Sequence, residues 1–261
     1  GILPKFRLQA KVTVKIGNSL TKAYICLREL KTKNMKKIAL MLLVLTCSLA
    51  ASAQQSIVSK RLDAFRNIDL SGNLHVELIK ADSAHIDVKL NGTNSNRLDW
   101  GIKNGTLSVY LRPGGEKGAS GDVKIYYDTL LSLKISASNV SVQGTLTQGM
   151  IDVDMTAGAI FGADLQLKDI CLKITGNSVA NLTGSAKYGT LIATSKSKVN
   201  ARPLTCQDVR VEATSGAEVY VKAVERIQIV ANTGGAVYYQ GEPEIFRSAT
   251  KMMGTVNNIG K

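Results

Sequence analysis

A short pattern returns about every nineteen residues through the second half of this chain. Ala137, Thr156, Thr175, Thr194, Thr214 and Asn232 mark it, at intervals of 19, 19, 19, 20 and 18. Three residues before each anchor stand Lys134, Val153, Leu172, Leu191, Val211 and Ile229. One before stand Ser136, Met155, Ile174, Ala193, Ala213 and Ala231; five after stand Val142, Phe161, Ala180, Val199, Val219 and Val237. Self-similarity at a fixed period marks a repeat architecture, in which each repeat buries its apolar side only against its neighbours.

Within one repeat, positions −5, −3 and −1 from the anchor are mostly apolar and the residues between them mostly polar. That period of two belongs to a strand with one buried face. The anchors themselves sit in small polar runs, Thr156-Ala157-Gly158, Thr175-Gly176-Asn177, Thr214-Ser215-Gly216 and Asn232-Thr233-Gly234. Gly and Asn tolerate positive φ, so these runs read as tight corners. A second alternating strand follows through +5 and +7. Short strands joined by tight corners make one coil of a parallel β-solenoid, with coils stacked at the ~4.8 Å strand spacing. Coiling of residues 65–246 throughout gives about nine or ten coils and a rod on the order of 45 Å long. A β-sandwich also has regularly spaced strands, but it has no reason to hold side-chain type in register at nineteen.

Met35-Lys36-Lys37 opens an apolar run from Ile38 to Leu45, and small residues follow to Ala51-Ser52-Ala53. This is the form of a secretory signal peptide over residues 35–53, cut after Ala53. Cys47 follows Val44-Leu45-Thr46, whereas a lipobox wants Gly, Ala or Ser just before the cysteine, so lipidation is not expected. Residues 1–34 precede the natural start of that leader and read as a non-native upstream extension; residues 54–64 read as a short linker. Residues 1–34 carry eight basic side chains and one acidic, and Lys36 and Lys37 add two more. Nine of the thirteen net positive charges therefore lie ahead of residue 54, which leaves +4 for residues 54–261. Such a surface is ordinary for solubility and gives no case for nucleic acid. No membrane span is expected in the mature chain.

Two cysteines remain there. Cys171 and Cys206 fall two coils apart and in different columns, about 9.6 Å or more, beyond the ~7 Å limit for bridged Cα atoms. Free thiols are expected.

From Phe65 the chain alternates, with Ile68 and Leu70, then Leu74, Val76 and Leu78, then Ile86, Val88 and Leu90. Turn signals such as Ser71-Gly72-Asn73, Asn91-Gly92 and Asn104-Gly105 separate these runs. This part is β-rich with a looser period, either irregular first coils or an antiparallel cap over the open end.

The sequence from Phe65 to Gly260 resembles the bacterial head GIN domain family of auto-transporter adhesin heads. Phe65-Arg66-Asn67-Ile68-Asp69-Leu70-Ser71-Gly72-Asn73, Asn104-Gly105-Thr106-Leu107-Ser108-Val109 and Val123-Lys124-Ile125-Tyr126-Tyr127 carry the resemblance, with the Ser/Thr-Gly-Ala coils. These are structural signatures and not a catalytic motif. The resemblance implies an exported, all-β, solenoid-like envelope protein of Gram-negative bacteria.

No cofactor or metal motif stands out, and the chain reads as non-enzymatic. His75 and His85 lie inside apparent strands and read as surface or satisfied residues. Two outward columns are candidates for function. At +6 stand Asn181, Asn200, Tyr220 and Tyr238 in successive coils, with Tyr239 adjacent. Stacked, they form an amide–aromatic ladder that suits sugar rings or a partner envelope protein, or that serves stability alone. At −4 and −2 lie Asp152 and Asp154, followed by Lys173, Arg210 and Glu212. Paired carboxylates can share acid–base work on a polysaccharide, whereas stacked opposite charges serve solubility. The triplets Asp82-Ser83-Ala84 and Asp128-Thr129-Leu130 resemble Asp-Ser/Thr-aliphatic acceptor sites of some periplasmic O-glycosylation systems. The function read from these residues is adhesin-like binding of a glycan or protein at the periplasm or cell surface. The alternatives are a periplasmic scaffold and a polysaccharide-active β-helix enzyme.

Overall fold

A computed structural model describes residues 57–260 and, ahead of them, only two short strands. Those two, Lys15–Ile16 (β1) and Ser19–Leu20 (β2), pair antiparallel within a separate unit spanning residues 1–54. The leader at 35–53, with Ala53 and Cys47, and the extension at 1–34 otherwise lie outside the described residues.

The rest is β-structure, with one 3-10 turn at Ser95–Arg97. It forms a β-solenoid of about 7 turns of ~19 residues. The strands of the N-terminal part are Ile57–Arg61 (β3), Asn67–Ser71 (β4), Leu74–Lys80 (β5), His85–Asn91 (β6), Leu98–Lys103 (β7), Thr106–Leu111 (β8) and Ser120–Tyr127 (β9). The coils follow as Ser132–Ser136 (β10), Asn139–Thr156 (β11), Ile160–Ile174 (β12), Val179–Ala193 (β13), Lys198–Ala213 (β14), Glu218–Ala231 (β15), Ala236–Gln240 (β16), Ile245–Thr250 (β17) and Thr255–Asn258 (β18).

Two parallel faces run the length of the stack. The first holds β8, β4 and β10, then the C-terminal halves of β11 to β15, then β17. The second holds β9 and β5, the N-terminal halves of β11 to β15, then β16 and β18. Side chains alternate in and out along most strands, and the inward ones form one continuous core; β17 and β18 bury no side chain.

The period of nineteen is real pairing register. Met155 pairs with Ile174, Ile174 with Ala193, Ala193 with Ala213 and Ala213 with Ala231. On the second face Phe161, Ala180, Val199, Val219 and Val237 line up the same way, and all are buried. The first coil departs from this. Ile135, not Ser136, pairs with Met155; Leu133, not Lys134, pairs with Val153; and Val140, not Val142, pairs with Phe161. Two changes set it: β11 carries two extra residues between Ser141 and Thr145, where its register with β12 shifts, and the corner before it is one residue short. Later corners such as Thr156–Ala159 have two central residues, whereas Ser136-Ala137-Ser138 has one, Ala137, at φ 53°. The insertion slips the second face by two, the short corner brings the first face back to a slip of one, and a slip of one exchanges the two faces of a strand.

The corners explain the small polar anchors. Ala157 and Gly158, Ser195 and Lys196, Ser215 and Gly216, and Thr233 and Gly234 all have positive φ, as in a type I′ turn. Each non-glycine residue held there costs on the order of 1–2 kcal/mol. Hydrogen bonds between successive corners oppose that cost. Gly158 N donates to Gly176 O (2.8 Å), Asn177 N to Ser195 O (3.1 Å), and Gly216 N to Thr233 O (3.1 Å). Buried Ser178 bridges its own corner and the previous one, donating to Thr175 O (2.7 Å) and accepting from Ala159 N (3.1 Å).

The N-terminal part is a coil with an antiparallel cap. The β8–β9 layer lies beyond β4–β5, although it follows them in sequence. β7 then pairs antiparallel with β8, β6 with β9, and β3 with β6. Residues 54–64, read as a linker, therefore contain a strand. The Asn104-Gly105 turn joins β7 to β8 with both residues at positive φ, the expected hairpin. Lys60 of β3 reaches over the Trp100 ring of β7 (4.8 Å), so a charged side chain covers the capped end. Antiparallel strands use chain that would otherwise coil. That is why about 7 turns form and not nine or ten.

A third, shorter side of the coil carries a side-chain ladder. Thr145 and Thr183, one coil to either side, both donate their hydroxyls to the Asp164 carboxylate. Thr145 first and Thr183 second hold its carboxyl below the usual range, against a smaller desolvation effect. A carboxyl depressed by folding stabilises above its unfolded pKa, and loses that contribution as pH falls through its folded pKa. The stability gap between the wild type and Asp164→Asn is thus expected to be present at neutral pH and to close below pH ~4. Thermal melts of both proteins across that range measure it. A gap that persists unchanged into strong acid contradicts the assignment.

Candidate functional site

The second face turns two outward columns to solvent. One reads Asp122, His75, Asn139, Ile160, Val179, Lys198, Glu218, Ala236 and Thr255 from the capped end onward. The other reads Lys124, Glu77, Ser141, Gly162, Asn181, Asn200, Tyr220, Tyr238 and Asn257. The ladder expected from the sequence is therefore one continuous column. It extends past Tyr238 to Asn257, nineteen residues further on.

The Tyr220 and Tyr238 rings stack with centroids 4.7 Å apart and planes 12° from parallel. Lys198 lies 5.1 Å from the Tyr220 ring centre and pairs with Glu218 at 3.2 Å. Burial first, and then the nearby Glu218 carboxylate, push the Tyr220 phenol up. The facing sides of the two rings are occupied by each other. Ring edges, phenol oxygens and the carboxamides of Asn181, Asn200 and Asn257 remain to face outward. This is a row of hydrogen-bonding groups at strand spacing.

Tyr239 does not belong to this row. It stands in register with buried Val221, on the opposite side of the strand, and its ring lies 5.2 Å from that of Phe246. The alternation of a strand dictates this, since neighbours in sequence point to opposite faces.

At the capped end of the same face, His75 Nδ1 lies 3.4 Å from Asp122, Asn91 donates to Asp122 at 2.8 Å, and Lys124 pairs with Glu77 at 3.1 Å. His85 stacks on Tyr126, with centroids 3.5 Å apart. Both histidines thus have partners on the sheet.

The carboxylate pair lies on the first face. Asp154 stands in the column Asp69, Lys134, Asp154, Lys173, so cations flank it in both neighbouring coils. Asp152 stands between Ser132 and Cys171. Arg210 falls three coils beyond Asp152 in its column, and Glu212 two coils beyond Lys173. The alternation of Asp and Lys neutralises charge along the stack, which is the chemistry of a solubilising ladder. The slip in the first coil hid it by placing Lys134 inside.

Cys171 and Cys206 are free, two coils apart. Burial pushes the Cys206 thiol up to about 12, and burial followed by Asp152 raises that of Cys171, so both are poor nucleophiles at neutral pH. Among the described residues, no group of three or more His, Cys, Asp or Glu is placed to hold a metal ion, and no helix is long and apolar enough to cross a membrane.

The family described as "Putative auto-transporter adhesin, head GIN domain" matches residues 64–243. The chain belongs to this family. Solved structures share its fold at low sequence identity. A "putative adhesin" from Bacteroides fragilis superposes with a TM-score of 0.72 at 17% identity, covering 80% of this chain and 98% of its own. A "putative lipid binding protein" from Parabacteroides distasonis gives 0.65 at 14%, covering 80% and 98%. A "putative adhesin" from Parabacteroides merdae gives 0.62 at 16%, covering 80% and 97%. A search of curated proteins finds no match. The matched span runs from ahead of β4 to just past β16.

Proposed function

We infer that this head GIN protein is an exported, non-enzymatic, adhesin-like protein of the bacterial envelope. It holds a glycan or a partner protein along the outward second face. The leader at residues 35–53, with cleavage after Ala53, delivers it. One observation supports the site above others: Asn181, Asn200, Tyr220, Tyr238 and Asn257 stand in a single unbroken outward column. A polyhydroxylated or peptide chain lying along the stack meets a donor or acceptor at every strand. Small residues at Ser141 and Gly162 leave the middle of the column open, with nothing within 4 Å of a Cβ at Gly162.

The experiment is a binding screen on immobilised glycans and envelope extracts, run with the wild type and with Tyr220→Ala/Tyr238→Ala. Loss of two aromatic contacts is expected to weaken capture about tenfold or more. Unchanged capture by the double variant removes the column as the binding site.

A further inference from the structure

A second site lies away from that face. A cleft of about 580 Å3 opens where the chain crosses between the layers of the capped end. Four segments distant in sequence wall it: residues 61–67, the bend at 81–84, the Asn104-Gly105 turn and the crossing at 128–131. Backbone hydrogen bonds tie these walls together. Leu62 N donates to Ala84 O (2.9 Å), Arg66 N to Gly105 O (3.0 Å), Ala81 N to Tyr127 O (2.8 Å) and Leu131 N to Arg66 O (2.7 Å). The cleft is therefore preformed, and its volume falls in the range of small-molecule sites.

Charges of both signs line it. Arg61, Arg66, Asp82 and Asp128 are exposed and all line it, and among the described residues none of them forms an ion pair. Asp128 receives only a long contact from the Thr129 hydroxyl, at 3.5 Å. Leu62, packed on the core, and Leu131, left 39% exposed, add apolar lining.

The two charge signs select the ligand. A simple anion drawn to the arginines meets two carboxylates, and a simple cation meets two guanidinium groups. A neutral sugar uses neither charge. We propose that the cleft binds a small zwitterion of the α-amino-acid type with an apolar side chain. Its carboxylate lies on Arg61 and Arg66, its ammonium on Asp82 and Asp128, and its side chain on Leu62 and Leu131. Charge-assisted hydrogen bonds of this kind are the strong ones, and carboxylate on guanidinium is their best geometry.

The test uses the full chain, isotope-labelled, and follows backbone amide shifts on titration with L-leucine. N-acetyl-leucine lacks the ammonium, leucinamide lacks the carboxylate, and methyl glucoside is the neutral control. Leucine is expected to shift the amides of residues 61–67, 81–84 and 128–131. Removing either end group, or making Arg66→Gln or Asp128→Asn, is expected to weaken binding roughly tenfold or more. Both side chains are exposed, so the variants are expected to melt like the wild type. Equal binding of N-acetyl-leucine or leucinamide overturns the zwitterion. So does preference for the glucoside, the absence of leucine shifts in the cleft, or leucine binding that survives both variants.

Discussion

Alanine at Gly184 is expected to destabilise the protein by on the order of 3 kcal/mol or more in urea unfolding. Gly184 sits in β13 at φ +98°, where the pairing register with β14 breaks after Asn181. A Cβ there lies 2.1 Å from Leu165 O and 2.9 Å from Leu165 N. These are backbone atoms of the adjacent coil, and the pairing of β12 with β11 and β13 holds them on both sides. They cannot yield as a side-chain tip would. Gly158→Ala is the control. It also has positive φ, at +74°, but nothing lies within 4 Å of its Cβ. It is expected to cost only the left-handed backbone strain, about 1–2 kcal/mol. Because coils are stabilised by their neighbours, hydrogen exchange in Gly184→Ala is expected to rise first across β12 and β13. Equal losses for the two alanine variants would contradict the close approach of coils at Gly184.

The second large effect concerns the first coil. Leu133→Asp buries an uncompensated carboxylate at a position with no exposure, at an expected cost of about 3–5 kcal/mol. Lys134→Asp, one residue on, is expected to cost under ~1 kcal/mol. That loss comes from placing an acid between Asp69 and Asp154 in the outward column. Denaturant midpoints of the two variants measure the contrast. A uniform period of nineteen would put position 134 inside and position 133 outside, so the opposite ranking would restore that register.

The coils from β12 to β16 were legible in the sequence because parallel in-register pairing repeats the same local demand at every turn. An apolar residue is needed inside at Ile174 and at Ala193, and residues able to take positive φ are needed at each corner. The column from Asn181 to Tyr238 was legible for the same reason. The first coil was not, because two extra residues between Ser141 and Thr145 and one fewer at the Ala137 corner shift a whole strand by one while leaving its composition unchanged. The swapped layer order at the capped end, with β4 between β8 and β10, was also invisible. Long-range pairing leaves no local trace in Asn67–Ser71 or Thr106–Leu111. The cleft bounded by Arg66, Asp82 and Asp128 depends on that crossing, so its parts appeared in the sequence only as separate loops. Tyr239 was next to the ladder in sequence but behind it in space, a consequence of strand alternation that adjacency alone conceals.

The most direct test of the functional account is protease shaving of intact cells that express the protein, with fractionated cells as the control. An adhesin-like envelope protein that meets external partners predicts release of peptides from residues 57–260 while the outer membrane is whole. Full protection of those residues, with release only after the outer membrane is opened, would contradict surface binding and place the protein in the periplasm.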